Sequence, residues 1–100
     1  MFGLLDRDVK YLQESLKGFK EIEKAVVFGS RAIGNYKKGS DVDIALFGTN
    51  ITPGTISRLA DQLNEESLLP YFFDLLHYEQ ISNPKLKQHI ISIGKELYCK

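Results

Sequence analysis

The residues whose types and spacing suit chemistry are a Gly29-Ser30 pair, then ten residues, then Asp41-x-Asp43, with a lone acid, Asp74, in a later aromatic run. Alternate residues of a strand have Cα atoms ~6–7 Å apart, a separation from which two carboxylates converge on shared cations. Two bare carboxylates ~5 Å apart repel by roughly 3 kcal/mol at an effective dielectric of 20, and divalent cations offset that repulsion. The candidate ligands are all oxygens, which favours Mg²⁺, with Mn²⁺ as the alternative, over zinc. Mg²⁺ commonly completes its shell with substrate phosphates, so a nucleoside triphosphate is the expected partner. Two such ions ~3.5–4 Å apart stabilise both the attacking and the leaving oxygen of an in-line displacement. Asp74 then has a role as a third metal ligand and as the base for an acceptor hydroxyl. Gly29 permits a sharp turn and close approach to a phosphate, Ser30 offers a hydroxyl and an N–H, and Arg31 adds charge-assisted hydrogen bonds.

These residues must be positioned by a short run of elements. Asp6 is expected to cap a helix to about Phe19, with Val9, Leu12 and Leu16 at helical spacing. Lys24 to Phe28 reads as a strand ending at Gly29-Ser30, with a short helical turn from Arg31. After the turn-prone connection Gly34 to Gly39 comes the strand Asp41 to Phe47, whose alternation puts Asp41 and Asp43 on one face, away from the core, and Val42, Ile44 and Leu46 on the other. Thr52-Pro53 opens a helix through about Glu66, Tyr71 to Leu76 reads as a third strand, and Asn83-Pro84 opens a helix ended by Gly94. Leu97 and Tyr98 suggest a brief edge strand. The elements are expected to form a single layer pair in one domain over residues 1–100.

Composition narrows the class. With 43% hydrophobic and 26% charged residues the chain falls among globular domains. Thirteen basic against thirteen acidic residues leave no net charge, which disfavours strong direct nucleic-acid binding. The apolar runs fall far short of the ~20 residues that span a bilayer, and the N-terminus lacks a basic n-region and a long apolar h-region. Cys99 stands alone and forms no internal disulfide; together these features imply no membrane and a cytoplasmic location. Asn50-Ile51-Thr52 is then a chance sequon. Gly34 to Ser40 imitates a phosphate loop but lacks the Lys before Ser and leads into a strand. An EF-hand fails because Ala45 and Phe47 stand where oxygen ligands are needed. Lys37 and Lys38 read as a solvated loop, and His77 and His89, outside the signature, as surface or packing residues rather than ligands.

Gly29-Ser30-Arg31-Ala32 with Gly34, Ser40-Asp41-Val42-Asp43-Ile44-Ala45 and Asp74 resemble the signature of the DNA polymerase beta-like nucleotidyltransferases, in particular the minimal nucleotidyltransferases (MNT) of MNT–HEPN toxin–antitoxin pairs. The resemblance covers most of the chain. It implies an α/β (α+β) core with a small mixed sheet and helices packed on one side, two Mg²⁺ ions held by Asp41, Asp43 and Asp74, and nucleotide contacts from Gly29, Ser30 and Arg31. It also implies transfer of AMP from ATP to a tyrosine of a helical HEPN-type toxin encoded nearby, with this chain as the antitoxin. Correct orientation of an acceptor supplies roughly 7–11 kcal/mol of a barrier, so a chain without an acceptor domain is expected to be slow until its partner docks. Two alternatives stay open: a non-catalytic antitoxin of the same fold, and nucleotidyl transfer to a small molecule or an RNA end.

Overall fold

The computed structural model describes residues 4–34, 41–67 and 69–100. The connection containing Tyr36, Lys37, Lys38 and Ser40 lies outside the described residues. Helix α1 (Asp6–Lys17) begins at Leu5, and no side chain caps it; Asp6 and Asp8 occupy its first turn, where the helix dipole favours acids. The expected Asp6 cap is therefore corrected to a first-turn residue. Strand β1 (Lys24–Phe28) runs into the short helix α2 (Ser30–Ile33), and β2 (Val42–Phe47) follows. Helix α3 (Pro53–Asp61) continues as a π-helical turn over Gln62–Glu66, which carries the fully buried Leu63 into the core. Strand β3 (Phe73–His77), a 3₁₀ turn at Tyr78–Gln80, helix α4 (Pro84–Ile93) and strand β4 (Lys95–Cys99) complete the chain.

The two proline-opened helices start where local chemistry places them. Asn83 accepts hydrogen bonds from the Lys85 and Leu86 N–H groups. At α3, Thr52 Oγ1 accepts from Thr55 N–H while Thr55 Oγ1 accepts from Thr52 N–H, a reciprocal cap that satisfies two otherwise orphaned donors. Thr55 is fully buried, and its hydroxyl also donates to Glu21 at 2.6 Å, tying α3 to the segment before β1.

The sheet order is β3-β2-β1-β4, with β1 antiparallel to both β2 and β4 and β2 parallel to β3. The α/β class with a mixed sheet is as expected. Alternation divides the strand residues between two apolar clusters. Ala25, Val27, Val42, Ile44, Leu46, Phe73 and Leu75 join α1 and α3 in the larger one. Val26, Phe28 and Ala45 join Ile90 of α4 in the smaller one, on the opposite face. One-sided packing thus holds for α1 and α3, whereas α4 covers part of the other face, so the single layer pair becomes three layers over that part. The reason is that Ala45, Phe47 and Leu76 alternate onto the α4 face and need cover from water. Phe47 stacks on Tyr78 at 4.3 Å, with Lys24 over the outer face of one ring and Lys87 over the other.

Glu21 links the cap to pH. Its carboxyl is held below the usual carboxylate range, first by the Thr55 hydroxyl and then by its own backbone N–H; burial opposes them, and Arg58 adds a smaller lowering. A depressed folded-state pKa contributes stability that is present at neutral pH and lost as pH falls below about 4.3. Thr55→Val is expected to lower unfolding stability by about 1–2 kcal/mol at pH 7, with a smaller penalty at pH 3, as read from denaturant midpoints.

Candidate active site

Register brings the chemistry together at one end of the sheet. Phe28, the last residue of β1, pairs with Asp43 on β2, and Asp43 pairs with Asp74 on β3. Residues directly opposite in neighbouring strands share a face, so both carboxylates stand on the α4 side. The acids do not point away from all core, as alternation alone suggested, because Ala45 on the same face as Asp43 is fully buried. Asp43 is half-buried at the margin of that cluster, while Asp74 is exposed. Asp41 lies just before β2, also exposed, and near enough for its charge to act on Asp43.

Gly29 follows Phe28 with φ 73° and ψ −152°, a conformation essentially confined to glycine. A Cβ at this position would lie 2.6 Å from Asp43 Oδ2, so the carboxylate rests directly against the glycine α-carbon. The glycine thus makes the turn and also makes room for the acid. Ser30 opens α2, whose C-terminal residue Gly34 is left-handed at φ 79° and donates its N–H back to the Ser30 carbonyl.

Arg31 follows Ser30 in α2. It is only 3% exposed, and its guanidinium lies 5.1 Å from the centre of the Tyr71 ring. Tyr71 in turn meets Phe73 edge-on, so Arg31 clamps α2 to the chain entering β3. The structure thus gives the Arg31 side chain a packing contact on Tyr71.

Position 89 was not singled out by spacing. His89 of α4 accepts a hydrogen bond from Gly29 N–H through Nε2 at 3.2 Å and meets the Phe28 ring edge-on. His77, by contrast, belongs to the far end of β3, where its Nε2 lies 2.8 Å from the Gly48 carbonyl and 3.2 Å from Glu79 Oε1.

The electrostatics centre on Asp43. Burial raises its pKa above the ordinary value, and the charges of Asp74 and Asp41 raise it further. Among the described residues no three acidic, histidine or cysteine side chains are closed into a set that holds a metal ion as they stand. The donor chemistry nevertheless fits a hard divalent cation: the groups are carboxylate oxygens whose mutual repulsion such a cation relieves, and Asp41 and Asp74 are exposed enough to reorient.

A mixed sheet with a glycine turn facing two strand-borne acids at its end defines a nucleotidyltransferase fold. The family model described as "Polymerase beta, Nucleotidyltransferase" matches residues 10–100, and the chain belongs to that family. Solved structures agree at the level of fold. A chain of a toxin–antitoxin crystal structure with AMP-PNP aligns with TM-score 0.75 and 22% identity over 96% of this chain and 75% of that one. The toxin–antitoxin MntA–HepT gives 0.72 and 19% over 96% and 74%. A complex of tri-AMPylated Shewanella oneidensis HEPN toxin with MNT antitoxin gives 0.67 and 21% over 100% and 74%. No curated protein sequence matches significantly. Among the described residues no helix is long and apolar enough to cross a membrane.

A carboxyl whose pKa is raised on folding weakens the folded state where it must ionise and ceases to do so once pH falls below both its folded and unfolded values. Asp43→Asn is therefore expected to raise the melting temperature at pH 7 by a few degrees in the absence of divalent cations, with the gain fading toward pH 3. A calorimetric pH series checks this; a loss of stability at neutral pH would show that the cost of ionising Asp43 in this site, from burial first and repulsion second, is not the dominant effect.

Proposed function

We propose that this chain is a minimal nucleotidyltransferase that moves AMP from ATP to a hydroxyl, most naturally a tyrosine, of a helical HEPN-type toxin, and so acts as its antitoxin. The observation that carries the reading is the Phe28–Asp43–Asp74 row with Gly29 seated against the Asp43 carboxylate. The likeness of fold to chains from toxin–antitoxin structures, one of them with an AMPylated toxin, supports the choice of acceptor.

In this reading residues 1–100 act as one domain, and Gly29 and Ser30 hold the phosphates of ATP at the sheet end. Asp41, Asp43 and Asp74 would hold two Mg²⁺ ions, or Mn²⁺ in their place, which supply charge neutralisation to the triphosphate when bound. Asp74, the exposed acid of the row, takes the proton from the acceptor hydroxyl. The hydroxyl oxygen forms a bond to the α-phosphorus as the bond from that phosphorus to pyrophosphate breaks, and pyrophosphate leaves. Asp43, half-buried beside both neighbours, is the acid whose ionised form bound cations would favour. Arg31 fixes α2 on Tyr71, and with it the direction of Ser30. The docked partner supplies acceptor orientation.

One observation favours a second reading, a contact-only antitoxin of the same fold: the described acids are not closed into a ligand set. Both are separated by incubating α-phosphate-labelled ATP and Mg²⁺ with source-cell lysate, comparing wild type with Asp41→Asn/Asp43→Asn. The expected result is a labelled protein band that falls on the order of 100-fold in the double variant. Labelled RNA or a labelled small molecule instead of protein would redirect the acceptor assignment. Toxin silencing that survives in the double variant without any label would establish the contact-only reading.

A further inference from the structure

His89 lies outside the glycine–serine and acidic motifs, yet it makes the one hydrogen bond shown from α4 to the glycine turn. The Gly29 peptide is held at both ends. Its carbonyl accepts from the N–H groups of Ala32 and Ile33, and its N–H donates to His89 Nε2. A residue preceding a helix has no intrahelical acceptor for its N–H, so this donor needs a partner from elsewhere in the fold. Nε2 accepts, so it carries no hydrogen, and the neutral ring keeps its proton on Nδ1.

The ring is itself well seated. It meets Phe28 edge-on at 6.1 Å, and its neighbour Ile90 is 1% exposed in the smaller apolar cluster. Gly94, at the end of α4, leaves no room for a Cβ between the Ile90 carbonyl and the Val26 side chain, so the helix end is pressed onto β1. An anchor held this firmly transmits its position to what it binds. The bound object is a glycine with φ 73°, whose α-carbon touches the Asp43 carboxylate and whose successor is Ser30.

We propose that His89 is a positioning residue of the nucleotide site: by accepting the Gly29 N–H it fixes the peptide that seats Asp43 and turns Ser30 toward the phosphates. This rests on the nucleotidyltransferase reading above and adds to it a dependence on a residue 60 positions away in the chain. The role requires an acceptor at the position of Nε2, not a charge and not a particular ring.

The test compares His89→Leu, which keeps apolar bulk without an acceptor, with His89→Gln, whose amide oxygen reaches about as far as Nε2. His89→Asn, polar but too short, serves if the leucine variant fails to fold. Two readouts are taken: hydrogen exchange of the Gly29 amide by NMR, and KM for ATP against kcat on the acceptor protein. Leucine or asparagine is expected to speed Gly29 exchange and raise KM for ATP about fivefold, the factor that loss of one neutral hydrogen bond brings, with a smaller effect on kcat. Glutamine is expected to restore most of both. Equal impairment in the leucine and glutamine variants would overturn the proposal in favour of ring packing on Phe28, as would unchanged exchange and KM in all variants. If wild type fails to bind ATP, the nucleotidyltransferase reading fails. The Gly29 exchange then still decides whether His89 anchors the turn.

Discussion

The seating of the Asp43 carboxylate against the α-carbon of Gly29 constrains the rest of the structure, because it requires three things at once. The chain must leave β1 in a conformation that only glycine adopts readily, β2 must pair with β1 so that Asp43 falls opposite Phe28, and no side chain can intervene. The contact also carries a cost. Asp43 is partly desolvated and faces the charges of Asp74 and Asp41, conditions that disfavour its ionised form. A fold selected for stability alone would place an apolar residue there. In the proposed reading a divalent cation with phosphates is the ligand that offsets its burial.

The two faces of the sheet divide the labour. The α1 and α3 face holds the larger apolar cluster, including the fully buried Leu12, Ile44, Leu46, Leu59 and Leu63, and carries most of the stability. The α4 face holds a smaller cluster whose margin reaches the acid row without covering it. Asp43 is consequently half-buried and Asp74 exposed on the same face. At the other end of β2 and β3, His77 and Glu79 bracket Gly48, and the Phe47–Tyr78 stack lies between two lysines. That end is closed by side chains, whereas Asp41 and Asp74 at the acid end are exposed. The asymmetry is what turns a sheet edge into a site.

Helix α4 has a double duty that its sequence does not advertise. Ile90 and Leu86 pack it on the sheet as any amphipathic helix packs, and His89 between them meets the glycine turn. A helix that both covers the smaller core and holds the glycine turn links the site to global packing. Arg31 does similar work from the other side, through Tyr71 to the entry of β3. The parts of the site are tied to α2, α4 and three strands.

What the sequence by itself determined follows from short-range physics. The apolar run Lys24 to Phe28 is a strand because its residues suit a pleated, buried surface, and Thr52-Pro53 and Asn83-Pro84 open helices because each cap and proline acts within one turn. The candidate acids and the glycine–serine pair were legible for the same reason: their spacing within a strand and at a turn is set by local geometry. Only the tertiary structure decided that β2 and β3 run parallel in the register that sets Asp43 beside Asp74, since that pairing depends on how the α3 crossover packs. The same holds for Arg31, turned inward onto Tyr71 forty residues away in sequence, and for α4, placed on the face opposite α1 and α3. His89 was invisible because an isolated histidine at helical spacing looks like packing. Its meaning comes from the N–H of a distant glycine that has no acceptor within its own helix, and such a donor meets its partner only when the chain has folded around it.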